Sequence, residues 1–362
     1  MRQKNDPASL ITEMRHPMRF GIIGSGSWGT ALVKILTDNN NTVNWWIRNP
    51  VILDHILSCQ NNPLYLSSVH FDIRRLRLTS DLGKLIREST CLVVAVPSAY
   101  IEQIFEELPP EIFEGKQILS AVKGILPGQN LLLNDYLGRY FQLNSDRYFT
   151  VMGPCHAEEI AAEKLSYLTF SGKSVTATQE IASNFSTGFV NTIINDDIYG
   201  VQYAAVLKNI YAVGAGMADG LEYGDNFRSV FIANCADEMA GFLLKAGISH
   251  IEVGIHEAAG AADEKKSANY AASVYLGDLL VTCYSLFSRN RRFGNMIGKG
   301  YTADAGILEL NMVAEGYNAS KCIYLLNQHF KADMPIADTI YSILWRNVNV
   351  REAFKRMEVL LV

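Results

Sequence analysis

The sequence predicts an α/β, doubly wound first half joined to an all-α second half. Three features carry that prediction. Short apolar runs alternate with helical stretches up to about Asn195, and a Gly-x-Gly-x-x-Gly turn follows the first of those runs. Beyond about Gly200, apolar residues recur at helical spacing with almost no strand-like alternation.

Residues 19–23 form a bounded apolar run that leads directly into Gly24-Ser25-Gly26-Ser27-Trp28-Gly29, after which 30–37 read as a helix. A second strand is expected at 42–47. Residues 91–96 and 117–121 are further apolar runs separated by a helical stretch at 99–107, the alternation of crossover units in a parallel sheet. Residues 148–152 and 192–195 are expected to be its last strands. Helices are expected through 201–217, 230–244, 275–287, 307–313 and 319–329. The resulting division is a flexible extension at 1–17, a sheet domain at 18–198 and an all-helical domain at 199–362. No internal repeat or low-complexity tract interrupts it.

The composition narrows the function. A chain of 362 residues exceeds the usual size of one hydrophobic core, and 49% hydrophobic against 19% charged residues describes ordinary globular material. A net charge of -5 gives no general attraction to nucleic acid or anionic lipid, so any anionic ligand must meet a local basic cluster. The six cysteines lack CxxC spacing and mostly sit in apolar segments, which reads as reduced, buried thiols in a cytoplasmic protein. No uncharged run of about 20 residues is present to insert in a bilayer, and the opening residues lack the apolar core of a secretory signal. The seven histidines are scattered without metal-ligand spacing, so no metal is expected.

The glycine turn carries the first chemistry. Gly24, Gly26 and Gly29 follow a strand and open a helix, where the backbone must turn tightly and approach a pyrophosphate while the helix presents unpaired N–H groups to it. That context makes it a dinucleotide-binding turn of Rossmann type. About 20 residues past the first glycine, where an NAD-specific site offers a carboxylate to the ribose, the sequence has Trp46-Ile47-Arg48-Asn49 instead. Arg48 is suited to pair with a 2′-phosphate or to stack on adenine, unless it is an exposed strand-end arginine without a ligand. The expectation is dual use of NAD and NADP, with NADPH favoured.

Three further groups are candidates for acid–base and anion chemistry. Lys123, in Val122-Lys123-Gly124, follows a strand; Lys208 interrupts the apolar stretch Tyr203-Ala204-Ala205-Val206-Leu207-Lys208-Asn209. A desolvated lysine has its pKa lowered and suits a general base for alcohol oxidation, whereas the alternative is a lysine snorkelling to water. Ser288-Arg289-Asn290-Arg291-Arg292-Phe293-Gly294 concentrates three cations in an acidic chain, either as a phosphate clamp or as a solvated helix end. Asp278 is a lone carboxylate in an apolar stretch, placed to orient a catalytic lysine or else to cap a helix. Cys155 beside His156 does not make a thiol nucleophile, because adjacent side chains diverge.

Taken together, these segments resemble the bacterial NAD(P)-dependent glycerol-3-phosphate dehydrogenases, from about Met18 to the end. The matching stretches include Gly24-Ser25-Gly26-Ser27-Trp28-Gly29-Thr30-Ala31, Val96-Pro97-Ser98, Val122-Lys123-Gly124-Ile125, Gly153-Pro154-Cys155-His156-Ala157-Glu158-Glu159, Leu207-Lys208-Asn209, Ala218-Asp219-Gly220, Gly224-Asp225-Asn226, Gly277-Asp278-Leu279, 288–294 and Val313-Ala314-Glu315-Gly316. The resemblance implies interconversion of sn-glycerol 3-phosphate and dihydroxyacetone phosphate with NAD or NADP, for phospholipid synthesis, by a homodimer. It implies that Ser27, Trp28, Arg48, Pro97, Lys123, Ala157, Arg289, Val313 and Glu315 line the cofactor beside the glycines. Lys123, Gly153, Cys155, Lys208, Asp278, Ser288, Arg289 and Asn290 would meet the substrate, with Lys208 as proton acceptor.

The chain departs from the family at three places. Cys155 stands where the family usually has Ser, which weakens a hydroxyl hydrogen bond to a thiol one. The usual glycine-rich approach to Gly277-Asp278 is replaced by Asn269-Tyr270-Ala271-Ala272-Ser273-Val274-Tyr275-Leu276. Residues 162–168 also differ, a change expected to touch only a strand edge. Two other readings compete: a related two-domain 3-hydroxy acid dehydrogenase, which needs no 288–294 clamp, and a non-catalytic dinucleotide sensor, which needs neither lysine nor Asp278.

Overall fold

A computed structural model describes residues 18–248, 273–310 and 314–361. The expected extension at 1–17, residues 269–272 of the altered approach and Val313 lie outside the described residues. The apolar runs of the first half build one sheet from β1 (Phe20–Ile23), β2 (Val43–Trp46), β3 (Leu76–Thr79), β4 (Cys91–Val94), β5 (Gln117–Ser120), β6 (Tyr148–Met152), β7 (Ser166–Gly172) and β8 (Val190–Asn195). Their order is β3-β2-β1-β4-β5-β6-β7-β8.

Alternate residues of each central strand feed two different cores, because side chains leave a strand on opposite faces. Phe20, Ile22, Cys91 and Val93 join Leu32, Ile35 and Leu36 of α1 (Ser27–Asp38) and Ile181 of α7 (Val175–Ser183). Ile23, Leu92 and Val94 join Leu85 of α3 (Leu82–Glu88), Ile101 and Phe105 of α4 (Ser98–Phe105) and Leu137 of α5 (Leu133–Phe141). The remaining helices of this half are α2 (Pro50–Cys59) and the short α6 (Ala157–Ala161).

Two strands depart from the sequence expectation. The edge strand β3 reads Leu-Arg-Leu-Thr and is half solvated, while in β7 Ser166, Thr169 and Ser171 break up the apolar residues, so neither shows a bounded apolar run. β7 also runs antiparallel to β6, with β8 parallel to β7, so the sheet is parallel from β3 to β6 and reverses direction between β6 and β7. The divergent 162–168 segment includes the first residues of β7, an inner strand between β6 and β8 rather than an edge. Of the six cysteines, Cys59 is exposed and the other five are buried, all as free thiols.

The second half is helical: α8 (Ile198–Gly220), α9 (Asp225–Lys245), α10 (Asp278–Tyr284), α11 (Arg289–Gly298), α12 (Ala303–Leu310), α13 (Glu315–Phe330), α14 (Pro335–Arg346) and α15 (Val350–Met357). α8 starts where Asp197 accepts a hydrogen bond from Gly200 N (2.7 Å), and it is buried on all faces from Gly200 to Ala218. It is the axis around which the other helices pack. Here glycine matters for closeness: a Cβ on Gly216 would lie 2.0 Å from the Arg291 carbonyl oxygen, and one on Gly294 would lie 1.9 Å from that of Val213. α8 and α11 therefore touch backbone to backbone. Where a helix was expected over 275–287, a π-helical turn at Ser273–Gly277 leads into α10, which ends at Tyr284. Among the described residues no helix is long and apolar enough to cross a membrane.

Candidate active site between sheet and helices

The glycine turn lies between β1 and α1, at the C-terminal end of an inner strand of the sheet. Gly24 has φ +121°, a conformation L side chains rarely adopt, and its carbonyl is packed so closely by α1 that a Cβ on Gly29 would come within 2.3 Å of it. That carbonyl also accepts from Trp45 Nε1 (2.9 Å), and Asn62 braces the turn by donating to the Ser25 carbonyl (2.9 Å). A Cβ on Gly26 would meet nothing within 4 Å. Gly26 is the N-cap of α1 and no side chain caps the helix, so its first N–H groups face open space. The three glycines thus do three jobs, and the one at the helix mouth leaves room for an anion.

Two hollows share this turn. The larger, of about 1070 Å³, runs along Gly24, Ser25, Gly26 and Ser27 to Arg48, Asn49 and Tyr65. The smaller, of about 230 Å³, runs from Gly26, Ser27 and Trp28 to Lys123, Lys208 and Asp278. Pro97 and Arg289 line both, which makes them one continuous cleft. Arg289 donates to Ser27 Oγ across it (3.0 Å). Arg48 is exposed at the far end of the larger hollow.

At the inner end, Lys208 of α8 pairs with Asp278 Oδ1 of α10, both side chains being almost wholly buried. Asp278 does not cap its helix; Gly277 before it is already helical and the carboxylate is turned to the lysine. Among the described residues its second oxygen has no hydrogen-bond partner, and it sits 4.0 Å from Lys123 Nζ. Burial pushes the Lys208 amine down, Asp278 pushes it back up and Lys123 pushes it down again, leaving it at about 8. Burial also opposes the charge of Lys123, but Cys155 and Asp278 outweigh it and hold that amine above the ordinary lysine value. The two lysines are thereby set to different tasks, one ready to exchange a proton and one a fixed cation.

Lys123 Nζ also donates to the Gly153 carbonyl (3.4 Å) and to Cys155 Sγ (3.8 Å), and its cation lies 5.3 Å from the centre of the Trp28 ring. Gly153 contributes its carbonyl oxygen to the site, with φ +118° turning the chain there. Cys155, whose thiol is pushed up by burial, donates to the same carbonyl (3.2 Å). Ala157 opens α6 against the cleft. Glu315 at the start of α13 lines the smaller hollow and accepts from Ser98 N (3.0 Å) and Ser98 Oγ (2.6 Å).

Of the basic cluster, the cleft receives only part. Ser288 is the N-cap of α11, accepting from Arg291 N (3.3 Å), and lines the hollow with Arg289 and Asn290. Arg291 turns away to Asp219 (2.7 Å), and Arg292 is exposed. Asn290 is more committed than expected: it donates to Asn209 Oδ1 (2.8 Å) and accepts from Gly316 N (2.9 Å), leaving one N–H for a ligand.

Sequence reasoning missed Asn209, Thr282, His156 and Phe287 as lining residues. Asn209 donates to the Lys123 carbonyl (2.9 Å), tying the strand loop to α8. It carried the same signal as Lys208, a polar side chain inside an apolar helix. Burial and the two lysines push the His156 ring down, and among the described residues its buried Nε2 has no hydrogen-bond partner.

The arrangement is matched by known proteins. The descriptions "NAD-dependent glycerol-3-phosphate dehydrogenase N-terminus" and "C-terminus" fit residues 19–178 and 197–355. The glycerol-3-phosphate dehydrogenase [NAD(P)+] of Bacillus subtilis is 31% identical over 339 residues, 93% of this chain and 92% of that protein. The enzyme of the same name from Thermoanaerobacter sp. is 32% identical over 337 residues, covering 93% and 95%. The crystal structure of glycerol-3-phosphate dehydrogenase from Coxiella burnetii superposes with a TM-score of 0.82 at 25% identity, covering 94% and 98%. With a glycine turn, two lysines and a carboxylate gathered in one cleft and this likeness along nearly its whole length, the chain belongs to the NAD(P)-dependent glycerol-3-phosphate dehydrogenase family.

Proposed function

We propose that the chain is an oxidoreductase that interconverts sn-glycerol 3-phosphate and dihydroxyacetone phosphate with NAD or NADP, supplying glycerol 3-phosphate for phospholipid synthesis. The observation that carries this reading is the buried Lys208–Asp278 pair at the inner end of the smaller hollow, which the glycine turn joins to the larger one. When bound, the nicotinamide cofactor supplies or accepts hydride. The open space at Gly26 and the uncapped start of α1 fit its pyrophosphate, and the larger hollow fits its adenosine end.

In the oxidation direction, neutral Lys208 takes the C2 hydroxyl proton of glycerol 3-phosphate. In the reverse direction its ammonium returns that proton to the C2 oxygen of dihydroxyacetone phosphate. Asp278 holds the lysine in place and keeps its charged form accessible, while Lys123 presents a permanent cation to the reacting oxygen. Arg289, Ser288 and the spare N–H of Asn290 meet the phosphate, and Cys155 offers its thiol beside Lys123. In this reading 18–198 form the cofactor domain, 199–362 the substrate and dimerisation domain, and the enzyme works in the cytoplasm as a homodimer.

Absorbance at 340 nm with dihydroxyacetone phosphate and NADH or NADPH tests the activity directly. A 3-hydroxy acid assayed with the oxidised cofactors is the control. Turnover of the hydroxy acid without turnover of the phosphate ester overturns the substrate assignment, and tight cofactor binding with no turnover of either makes the chain a sensor.

A further inference from the structure

Among the described residues, Ser98 of the sheet half gives the Glu315 carboxylate two hydrogen bonds, one from the backbone N–H and one from the hydroxyl. Ser98 is the first residue of α4, and Glu315 is the first of α13, so the contact joins the start of a sheet-side helix to the start of a helical-half one. Gly124 lies directly beneath. A Cβ there would stand 2.5 Å from Glu315 Oε2 and 2.5 Å from Ser98 Oγ, while its φ lies outside the left-handed region. A methyl at 124 would therefore push the Glu315 carboxylate and the Ser98 hydroxyl from their places, so glycine serves space there and not a turn. Its neighbour Lys123 and the acceptor Glu315 line the same hollow.

We infer that Ser98 and Gly124 are positioning residues for cofactor binding, acting through Glu315, whose carboxylate they fix in the cleft between the two halves. The inference rests on the reading above in which Glu315 meets the cofactor. Neither Ser98 nor Gly124 need touch the ligand; the hydroxyl holds the carboxylate and the missing side chain leaves room for it. A carboxylate without these contacts would be free to swing into the cleft.

The ionisation of Glu315 gives a readout that a purely structural role would not move. Burial pushes its carboxyl up, while the two Ser98 hydrogen bonds and, beyond them, Arg289 of α11 pull it down. Cys322, on its own helix, also senses its charge. Removing the Ser98 hydroxyl must then raise the pH at which the carboxylate protonates.

The test is cofactor KM and kcat measured from pH 5 to 9 on the full chain for wild type, Ser98→Ala, Gly124→Ala and Glu315→Gln, with thermal melting as a folding control. In Ser98→Ala the cofactor KM should rise on the order of tenfold, as for loss of one hydrogen bond to a charged group, with kcat changed less than about twofold. The acidic limb of its KM profile should move to higher pH, Gly124→Ala should raise KM alike, and Glu315→Gln should abolish that limb. If Glu315→Gln alters neither KM nor its pH dependence, Glu315 does not meet the cofactor and the underlying reading fails. If Glu315→Gln has its effect but Ser98→Ala leaves KM and the limb in place, the positioning inference fails and the reading stands. A Ser98→Ala enzyme that melts earlier with unchanged kinetics overturns it equally.

Discussion

The Lys208 amine and the Asp278 carboxylate form an ion pair at the inner end of the cleft, with side-chain exposures of 5% and 2%, and one carboxylate oxygen left facing Lys123 at 4.0 Å. At that burial, removing either partner leaves the other charge without its counter-ion. This mutual dependence makes the pair both a catalytic device and a weak point in the fold.

Lys208 stands at about 8, so the two directions of reaction should respond oppositely to pH. Oxidation needs the neutral amine and should rise as pH passes upward through about 8; reduction needs the ammonium and should fall over the same interval. Asp278→Asn removes the charge that raises Lys208, so both profiles should move to lower pH. Lys208→Ala should lower kcat by about 10²–10⁴-fold, the usual scale of a general acid–base group, with cofactor affinity kept. Initial rates in both directions over pH 6–10 check this, and near-normal turnover in Lys208→Ala removes it from the mechanism.

Breaking the pair from one side should cost stability as well. Asp278→Ala leaves a buried amine with no anion and should destabilise the protein by about 3–5 kcal/mol, the range for an orphaned buried charge. Lys208→Met with Asp278→Leu should recover much of that loss while remaining inactive. Urea unfolding of the single and double variants measures both effects, and additive losses would mean the two groups do not act as a pair.

The glycines at 26 and 29 should separate folding from binding. Gly29→Ala forces a methyl into the Gly24 carbonyl and should lower both the melting temperature and cofactor affinity. Gly26→Ala meets no protein atom within 4 Å, so the protein should melt as wild type while cofactor binding weakens by about tenfold or more. Calorimetric titration with NADH and NADPH reads the difference; equal melting losses for the two variants would contradict it.

Arg48 is exposed in the larger hollow, where an NAD-specific site would offer a carboxylate. Arg48→Ala should raise the KM for NADPH by about tenfold, with the KM for NADH changed by less than about twofold. A parallel loss for both cofactors would place Arg48 on adenine rather than on the 2′-phosphate.

Away from the cleft, Glu238 of α9 caps α14, accepting from Ile336 N (2.7 Å) and Ala337 N (3.0 Å). Burial outweighs those bonds and pushes its carboxyl up to about 7. The folded state then holds a proton that the unfolded chain releases near 4.5, so stability from this group falls as pH rises from about 4.5 to about 7, at up to ~1.4 kcal/mol per pH unit, and levels off above. The stability of Glu238→Gln subtracted from that of wild type should show this slope and no other.

The helical half shows how far periodicity reaches. Its main helices were legible because apolar residues recur every third or fourth position, but α11, α14 and α15 were not assigned. α11 reads as a phosphate clamp or a solvated helix end because three of its first four residues are arginines. Its place is set by Gly216 and Gly294, whose lack of side chains lets it lie on α8, and a glycine in a sequence does not announce which backbone will approach it. The antiparallel β7 was hidden for a different reason: two serines and a threonine interrupt its apolar residues, and strand direction is a property of pairing that a single strand does not carry.

The sequence by itself determined the two-part architecture and the glycine turn, and it singled out Lys208 and Asp278 as groups too polar for their surroundings, Lys123 after a strand and Arg289 within a basic cluster. Local patterns are enough for that, because burial periodicity and the cost of an unpaired charge are written along the chain. Only the tertiary structure decided which charges meet: Lys208 with Asp278 at the cleft, Arg291 with Asp219 away from it, and Glu315 with Ser98, 217 residues apart. Those pairings arise from packing between distant segments, and their energies depend on distance and desolvation, neither of which has a signature in residue order.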